Sequence, residues 1–151
     1  MRLRTFHPSD LPILYEIDQA CFPPGVSYAK SELSCFVSQR GSRTWIAEEG
    51  GQIVGFLIAG RAGASVAHIV TIDVRAECRR RGVGRTMMNA AEKWARDRKL
   101  ELVYLETAEG NLIAQRFYQA RGYSKVERIE GYYANGQAAW VMAKDLQTPN
   151  R

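Results

Sequence analysis

Long apolar runs are missing from this chain of 151 residues. No window approaches the roughly 18 consecutive apolar residues of a membrane span. The start, Met1-Arg2-Leu3-Arg4-Thr5-Phe6-His7-Pro8, has no apolar stretch of the kind that marks a secretory signal. Cysteine is scarce and odd in number: Cys21, Cys35 and Cys78, with no C-x-x-C and no Cys/His cluster. That argues against a disulfide framework and a zinc site, so no metal is expected. Repeats, low-complexity tracts and linkers are also absent. The expectation is one soluble cytoplasmic domain over residues 1–146, followed by a frayed tail at 147–151.

Apolar residues make up 46% and charged residues 25%, ordinary for a globular chain. Twenty-one Lys and Arg against 16 Asp and Glu give a net charge of +5. Such an excess suits an anionic partner without choosing one: nucleic acid, an acidic membrane face and a phosphate-bearing cofactor all fit.

Periodicity predicts an α/β chain. Arg2 to Phe6 alternates as a short strand, and Ser9-Asp10 reads as the cap of a helix carrying Leu11, Leu14, Ile17 and Ala20. Phe22-Pro23-Pro24-Gly25 stops it, and a second helix is expected over 27–39. Thr44–Glu48 and Ile53–Ala59 read as a hairpin around Glu49-Gly50-Gly51. Val66–Val74 is a near-continuously apolar strand, expected to be central. The next helix carries Val83, Met87, Ala90, Ala91 and Trp94 on one stripe, with Glu92, Lys93, Arg96 and Asp97 placed opposite. Leu102–Glu106 is a strand, Asn111 caps a helix ending near Arg121-Gly122, and 123–129 and 140–146 close the sheet. The order is β-α-α-β-β-β-α-β-α-β-β in one mixed sheet. The crossover around 66–107 makes its two strands parallel. Ligands in such sheets gather at the carboxyl ends of parallel strands, beside helix N-termini.

That rule points to Arg79-Arg80-Arg81-Gly82-Val83-Gly84-Arg85-Thr86, between a strand and an amphipathic helix. Two glycines admit close backbone approach, and first-turn N–H groups with the helix dipole favour an anion. Four arginines add forked phosphate donors. The stretch is neither a P-loop nor a dinucleotide fingerprint, since Met87 stands at the third glycine position of the latter. A solvated basic turn is the plain alternative.

Arg79-x-x-Gly82-x-Gly84, after a strand ending Thr71-Ile72-Asp73-Val74, resembles the signature of the GNAT N-acetyltransferase family. The downstream Glu106-Thr107-Ala108-Glu109-Gly110-Asn111, with Ala114, Phe117-Tyr118 and Gly122-Tyr123, resembles the family's second motif, so the likeness spans roughly residues 2–146. Within the family the sequence is most similar to ribosomal-protein and Nα-terminal acetyltransferases, through Leu105-Glu106 and Asn111, Phe22-Pro23 with Val26-x-Tyr28, and Gly131-Tyr132-Tyr133. The inserted Pro24-Gly25 departs from the tighter form of that first loop.

The resemblance implies a GNAT-like fold and acetyl coenzyme A, with coenzyme A as product. The coenzyme would lie along Ile72, Asp73 and Val74 and in the turn of Arg79, Arg80, Arg81, Gly82, Val83, Gly84, Arg85 and Thr86, with Asn111 and Tyr118 touching it. By resemblance Tyr118 is the general acid for the departing thiolate. Glu106 is the candidate general base at the end of an apolar strand, and His68 is placed to help hold a relay water with it; a hydrogen-bonded core histidine fits His68 equally. His7 reads as structural. A backbone N–H near Val74 would polarise the thioester carbonyl. Phe22, Tyr28, Tyr132 and Tyr133 would wall the acceptor site. Cys78 sits beside the turn without a Cys/His/acid arrangement, so direct attack in a ternary complex is expected over a thiol intermediate.

The acceptor would be a protein or peptide α-amine, whose reference pKa of about 7.7–8.0 asks less of a base than the roughly 10.4 of lysine. A small-molecule amine is the alternative within the family, and a non-catalytic acyl-coenzyme A or nucleic-acid binding domain the alternative outside it. Arginines confined to one turn, without interleaved aromatics, argue against nucleic acid. No membrane partner is expected, and the chain would act as a monomer or weak dimer.

Overall fold

A computed structural model describes residues 1–147. Seven strands form one mixed sheet: β1 (Arg2–Thr5), β2 (Arg43–Glu49), β3 (Gln52–Arg61), β4 (Val66–Val74), β5 (Leu102–Ala108), β6 (Ser124–Ile129) and β7 (Ala139–Asp145). The helices are α1 (Leu11–Cys21), α2 (Lys30–Ser38), α3 (Val83–Asp97) and α4 (Leu112–Ala120). The strand order is β1-β2-β3-β4-β5-β7-β6, which puts β4 in the middle as expected. Among the described residues only β4 and β5 pair in parallel, joined by the α3 crossover.

The helices cover both faces. Leu14, Ile17 and Leu33 of α1 and α2 pack on Ile46, Phe56 and Ile58. On the other face Met87, Met88, Ala91 and Trp94 of α3 pack on Leu57, Ala67, Ile69 and Val103. β3 crosses the thickest part and is buried from Ile53 to Ala59. A side chain such as Met87, with 0% exposure, would cost about 2–5 kcal/mol on truncation to alanine.

Three local expectations are corrected. Asp10 does not cap α1: its carboxylate accepts from both terminal guanidinium nitrogens of Arg4, at 2.9 Å each, and from the His7 amide at 2.8 Å. The His7 ring instead accepts from the Ser9 amide, which closes a short 3₁₀ turn before α1. The second helix starts at Lys30, not 27, because Asp18 and Gln19 hold the Tyr28 amide and carbonyl outside a helix. Glu32 then accepts from the Ala29 amide and secures the first turn of α2.

The third correction concerns Glu92, placed on the solvent side of α3 by the sequence. It is 2% exposed and receives Lys144 Nζ at 2.8 Å, the Tyr123 hydroxyl at 2.9 Å and Arg121 at 3.3 Å. Those partners neutralise a charge that otherwise could not be buried. Gln147 lies in a turn after β7, and the remainder of the expected tail, 148–151, lies outside the described residues.

Candidate active site

β4 and β5 stay paired for only three residues: Val66 with Leu102, Ala67 with Val103 and His68 with Tyr104. Beyond that point each strand pairs only with its outer neighbour, β4 with β3 as far as Val74 and β5 with β7 as far as Ala108. The two strands therefore open a wedge lined by backbone groups without ladder partners. Arg75 donates its amide to Val54 on the β3 side, so by strand alternation Val74 and Ile72 turn theirs towards the wedge. A ligand arm rich in amides can take up such groups.

A β-bulge shapes the same strand. Ile58 opposes Thr71 while Ala59 opposes Ile69, leaving Val70 unpaired between them. The bulge carries Thr71 and Asp73 to the α1 side and leaves Ile72 and Val74 against the α3 side. Asp73 thus does not line the wedge with its neighbours. It is 1% exposed and tied to Thr71 Oγ1 at 2.5 Å.

At the wide end of the wedge stands the arginine–glycine turn. Arg80 and Gly82 both have positive φ, +65° and +83°, and α3 begins with no side-chain cap. The amides of residues 80–85 donate to no acceptor among the described residues. Successive free N–H groups in alternating handedness form an anion-binding concavity, reinforced here by the helix dipole. A Cβ on Gly82 would meet the Arg85 guanidinium at 3.3 Å, and one on Gly84 would touch the Phe117 ring at 3.4 Å. The turn can therefore take an anion at backbone distance.

The arginines divide their work. Arg79 Nε donates to the Val74 carbonyl at 3.1 Å, which fastens the turn to the strand end, and Arg81 pairs with Glu49. Arg80 and Arg85 are exposed and form no ion pair among the described residues. Thr86 donates its hydroxyl to the Gly82 carbonyl, and Val83 is buried, so each would meet a ligand only through its backbone. Asn111 caps α4 through the Ala114 amide at 3.2 Å.

At the narrow end, His68 Nε2 and Glu106 Oε1 lie 2.5 Å apart in direct contact. The His68 ring stacks on Tyr104, with centroids 4.4 Å apart and planes 15° from parallel, which fixes its orientation. His68 Nδ1 has no partner among the described residues. Both side chains stay partly exposed, 25% for His68 and 14% for Glu106, so the pair is reachable from solvent.

Tyrosines surround this pair. Tyr28, Tyr104, Tyr132 and Tyr133 all have hydroxyls pushed up by burial, with the Glu106 carboxylate among the further causes. Tyr28 is held at its amide, its carbonyl and its hydroxyl, which donates to the carbonyl of the bulged Val70 at 3.3 Å. Phe22 ends α1 at the start of the same loop and is partly exposed. The inserted Gly25 has φ +89° and packs on Asn135, where a Cβ would come within 2.6 Å, while its carbonyl accepts from Ala134. This contact brings the α1–α2 loop against the β6–β7 loop that carries Tyr132 and Tyr133.

Tyr118 on α4 is 7% exposed, edge-on to Phe117 and Tyr123. Burial, then Asp73 and Tyr133, push its hydroxyl above the ordinary phenol range, so it holds its proton at neutral pH. Cys78 is buried, and Cys21 donates its thiol to the Val74 carbonyl at 3.3 Å. Burial, with Asp73 adding to it, pushes the Cys21 thiol up, against a thiolate nucleophile.

Comparison with known proteins agrees with this layout. A model of the acetyltransferase (GNAT) family matches residues 11–123. An uncharacterized N-acetyltransferase of Methanocaldococcus jannaschii is 29% identical over 145 residues, 95% of this chain and 91% of its own. An N-alpha-acetyltransferase of Sulfurisphaera tokodaii is 26% identical over 160 aligned positions, 96% of this chain and 93% of that one. The solved structure of Ard1 from Thermoplasma volcanium has a TM-score of 0.87 at 25% identity, over 95% of this chain and 96% of the other. The family match alone takes in α1, the wedge, the anion turn and α4, and so the chain belongs to the acetyltransferase (GNAT) family, N-acetyltransferases that draw their acetyl group from acetyl coenzyme A.

Proposed function

We propose that the protein acetylates the N-terminal α-amine of a peptide or protein by direct attack in a ternary complex. The observation that carries the reading is the His68–Glu106 pair at the crotch of the wedge, reachable from solvent and walled by tyrosines. An α-ammonium has a reference pKa of about 7.7–8.0, so a carboxylate–imidazole pair suffices to take its proton near neutral pH. The name of the Sulfurisphaera tokodaii relative supports the same acceptor class.

Acetyl coenzyme A supplies an electrophilic thioester carbonyl and an anionic tail. The amides of residues 80–85, with Arg80 and Arg85, would hold that tail. The Ile72 and Val74 amides would hold the arm and polarise the carbonyl. Glu106 takes the amine proton, with His68 bonded to it and able to accept at Nδ1. Tyr118 keeps a proton for the thiolate that leaves. Tyr28, Tyr132 and Tyr133, with Phe22 at the loop base, would hold the peptide. The setting proposed is the cytoplasm, which suits three free cysteines.

Mass spectrometry after incubation with acetyl coenzyme A and a peptide library tests the acceptor. Acetylated α-amines are the expected product; modification confined to lysine side chains or small amines would overturn it. Glu106→Gln is expected to lower kcat about 10²- to 10⁴-fold. Tyr118→Phe should lower turnover more than coenzyme affinity, and unchanged turnover would remove Tyr118 from the acid role.

A further inference from the structure

Two buried acids have no apolar packing role and take no proton in the proposed chemistry. Asp18 on α1 is 0% exposed and Asp73 on β4 is 1% exposed. Buried Asp10 has Arg4 beside it, and Glu92 has Lys144 and Arg121. Asp18 and Asp73 have no ion pair among the described residues. Arg79, whose charge acts on Asp73, donates instead to the Val74 carbonyl.

Each acid has one oxygen in use and one without a partner. Asp73 Oδ1 accepts from Thr71 at 2.5 Å, and Asp18 Oδ2 accepts from the Tyr28 amide at 2.7 Å. Asp73 Oδ2 and Asp18 Oδ1 are buried and unpaired. Yet α1 and β4 meet at this point: Cys21, one turn after Asp18, bonds the Val74 carbonyl at 3.3 Å, and Tyr28 joins Asp18 to the Val70 carbonyl, which brings the two carboxyl groups together. Two carboxylates cannot share a hydrogen bond, whereas a carboxyl and a carboxylate can. Burial and the neighbouring Asp18 hold Asp73 well above the usual carboxylate range.

Among the described groups that face the pair, the one counter-charge is Arg79, which is not bonded to either acid. α1 presents Cys21, a thiol, and the turn before α3 presents Arg79. α4 presents the neutral Tyr118, β4 presents Thr71, and the α1–α2 loop presents the Tyr28 amide. β3 places the apolar Phe56 directly opposite Asp73.

We propose that Asp18 and Asp73 share one proton across the α1–β4 contact and act as a positioning pair that holds Tyr28, and with it the acceptor loop, against the coenzyme strand. The functional half rests on the reading of Tyr28 as a wall of the acceptor site. When pH rises far enough to take the shared proton into solvent, two adjacent buried carboxylates repel and the loop loosens. Acceptor binding then weakens while the anion turn is untouched.

Two readouts test this without relying on turnover: the infrared band of a protonated aspartate, and hydrogen exchange at the Tyr28 amide corrected for intrinsic base catalysis. In the wild type the band should be present at neutral pH. It should vanish at the pH where Tyr28 exchange accelerates by about ten-fold. In Asp18→Asn, the side-chain oxygen still accepts from Tyr28 and the amide nitrogen donates to ionised Asp73. That variant should lack the band and keep Tyr28 protected across the same range. Asp18→Ala should lose protection at every pH and raise the acceptor KM about ten-fold, with coenzyme affinity within about two-fold of wild type. Should Asp18→Ala fail to fold, the wild-type titration and Asp18→Asn decide alone. Absence of the band at neutral pH overturns the shared proton. Tyr28 exchange that ignores loss of the band overturns the positioning role. If no amine is acetylated, the proposed function fails, while both spectroscopic readouts still decide the pair.

Discussion

Two buried charge clusters lie on opposite faces of the sheet and are built on opposite rules. Under α3, Glu92 is matched by Lys144, Arg121 and the Tyr123 hydroxyl, with both carboxylate oxygens occupied. Under α1, the acids Asp18 and Asp73 have no basic group bonded to them among the described residues, and each has an oxygen left over. The matched cluster joins α3, the end of α4 and β7 and stands clear of the wedge. The unmatched pair joins α1 to the strand along which the coenzyme would lie, and its one outward bond goes to the acceptor loop. Charge balance marks the α3 face, and charge imbalance the face that carries the α1–α2 loop.

Breaking the matched cluster should have the largest effect. Glu92→Ala leaves Lys144 buried without a counter-ion and is expected to cost about 3–5 kcal/mol in urea unfolding. A loss below about 1 kcal/mol would show that Lys144 finds water and that the cluster does not lock this face. Pairing Glu92→Leu with Lys144→Met removes both charges and should recover most of that loss, since well-packed apolar replacements of buried ion pairs are neutral or better. Failure to recover would assign the cluster a specific packing role.

The acid pair should respond with the opposite sign. Asp73 is raised in the folded state, so its contribution is fully present below the ordinary carboxylate range of about pH 3.9 and is lost as pH climbs through the raised value. Asp73→Asn keeps the bond to Asp18 without the ionisation. Its melting temperature should therefore gain on wild type as pH increases from 4 to 8, and a constant offset would refute the shared-proton picture. The smallest stability change is expected for Arg80→Ala: exposed and unpaired, it should alter unfolding by no more than about 0.5 kcal/mol. Coenzyme A affinity measured by calorimetry should nonetheless fall, and an unchanged affinity would move the anion site away from Arg80.

Much of this architecture was legible in the order of residues. The eleven-element sequence of strands and helices and the parallel crossover followed from periodicity and from Gly and Asn at helix ends. Glu92 was legible in part. It stands four residues after Met88 and three before Ala95 on the buried stripe, and Lys144 alternates with buried Met142. Weighing residue charge above helical period put Glu92 on the wrong side. The start of α2 was hidden, because Asp18 and Gln19 fix Tyr28 through tertiary bonds that local propensity does not register. The ties of Arg81 to Glu49 and of Gly25 to Asn135 are equally long-range. The acid pair was the least visible: it joins residues far apart in the chain, and nothing in either segment announces that the other carboxyl is its partner.

The wedge also works as a ruler. From Val74, beside the anion turn, to His68 at the crotch is six residues of β4, roughly 20 Å at the rise of a strand. A donor that anchors its phosphates at residues 80–85 must carry its acetyl group along most of that length before it meets Glu106. Acetyl phosphate, whose acetyl group sits directly on the anion, cannot reach from one end to the other. On the proposed assignment of the two ends, distance alone would exclude such a donor.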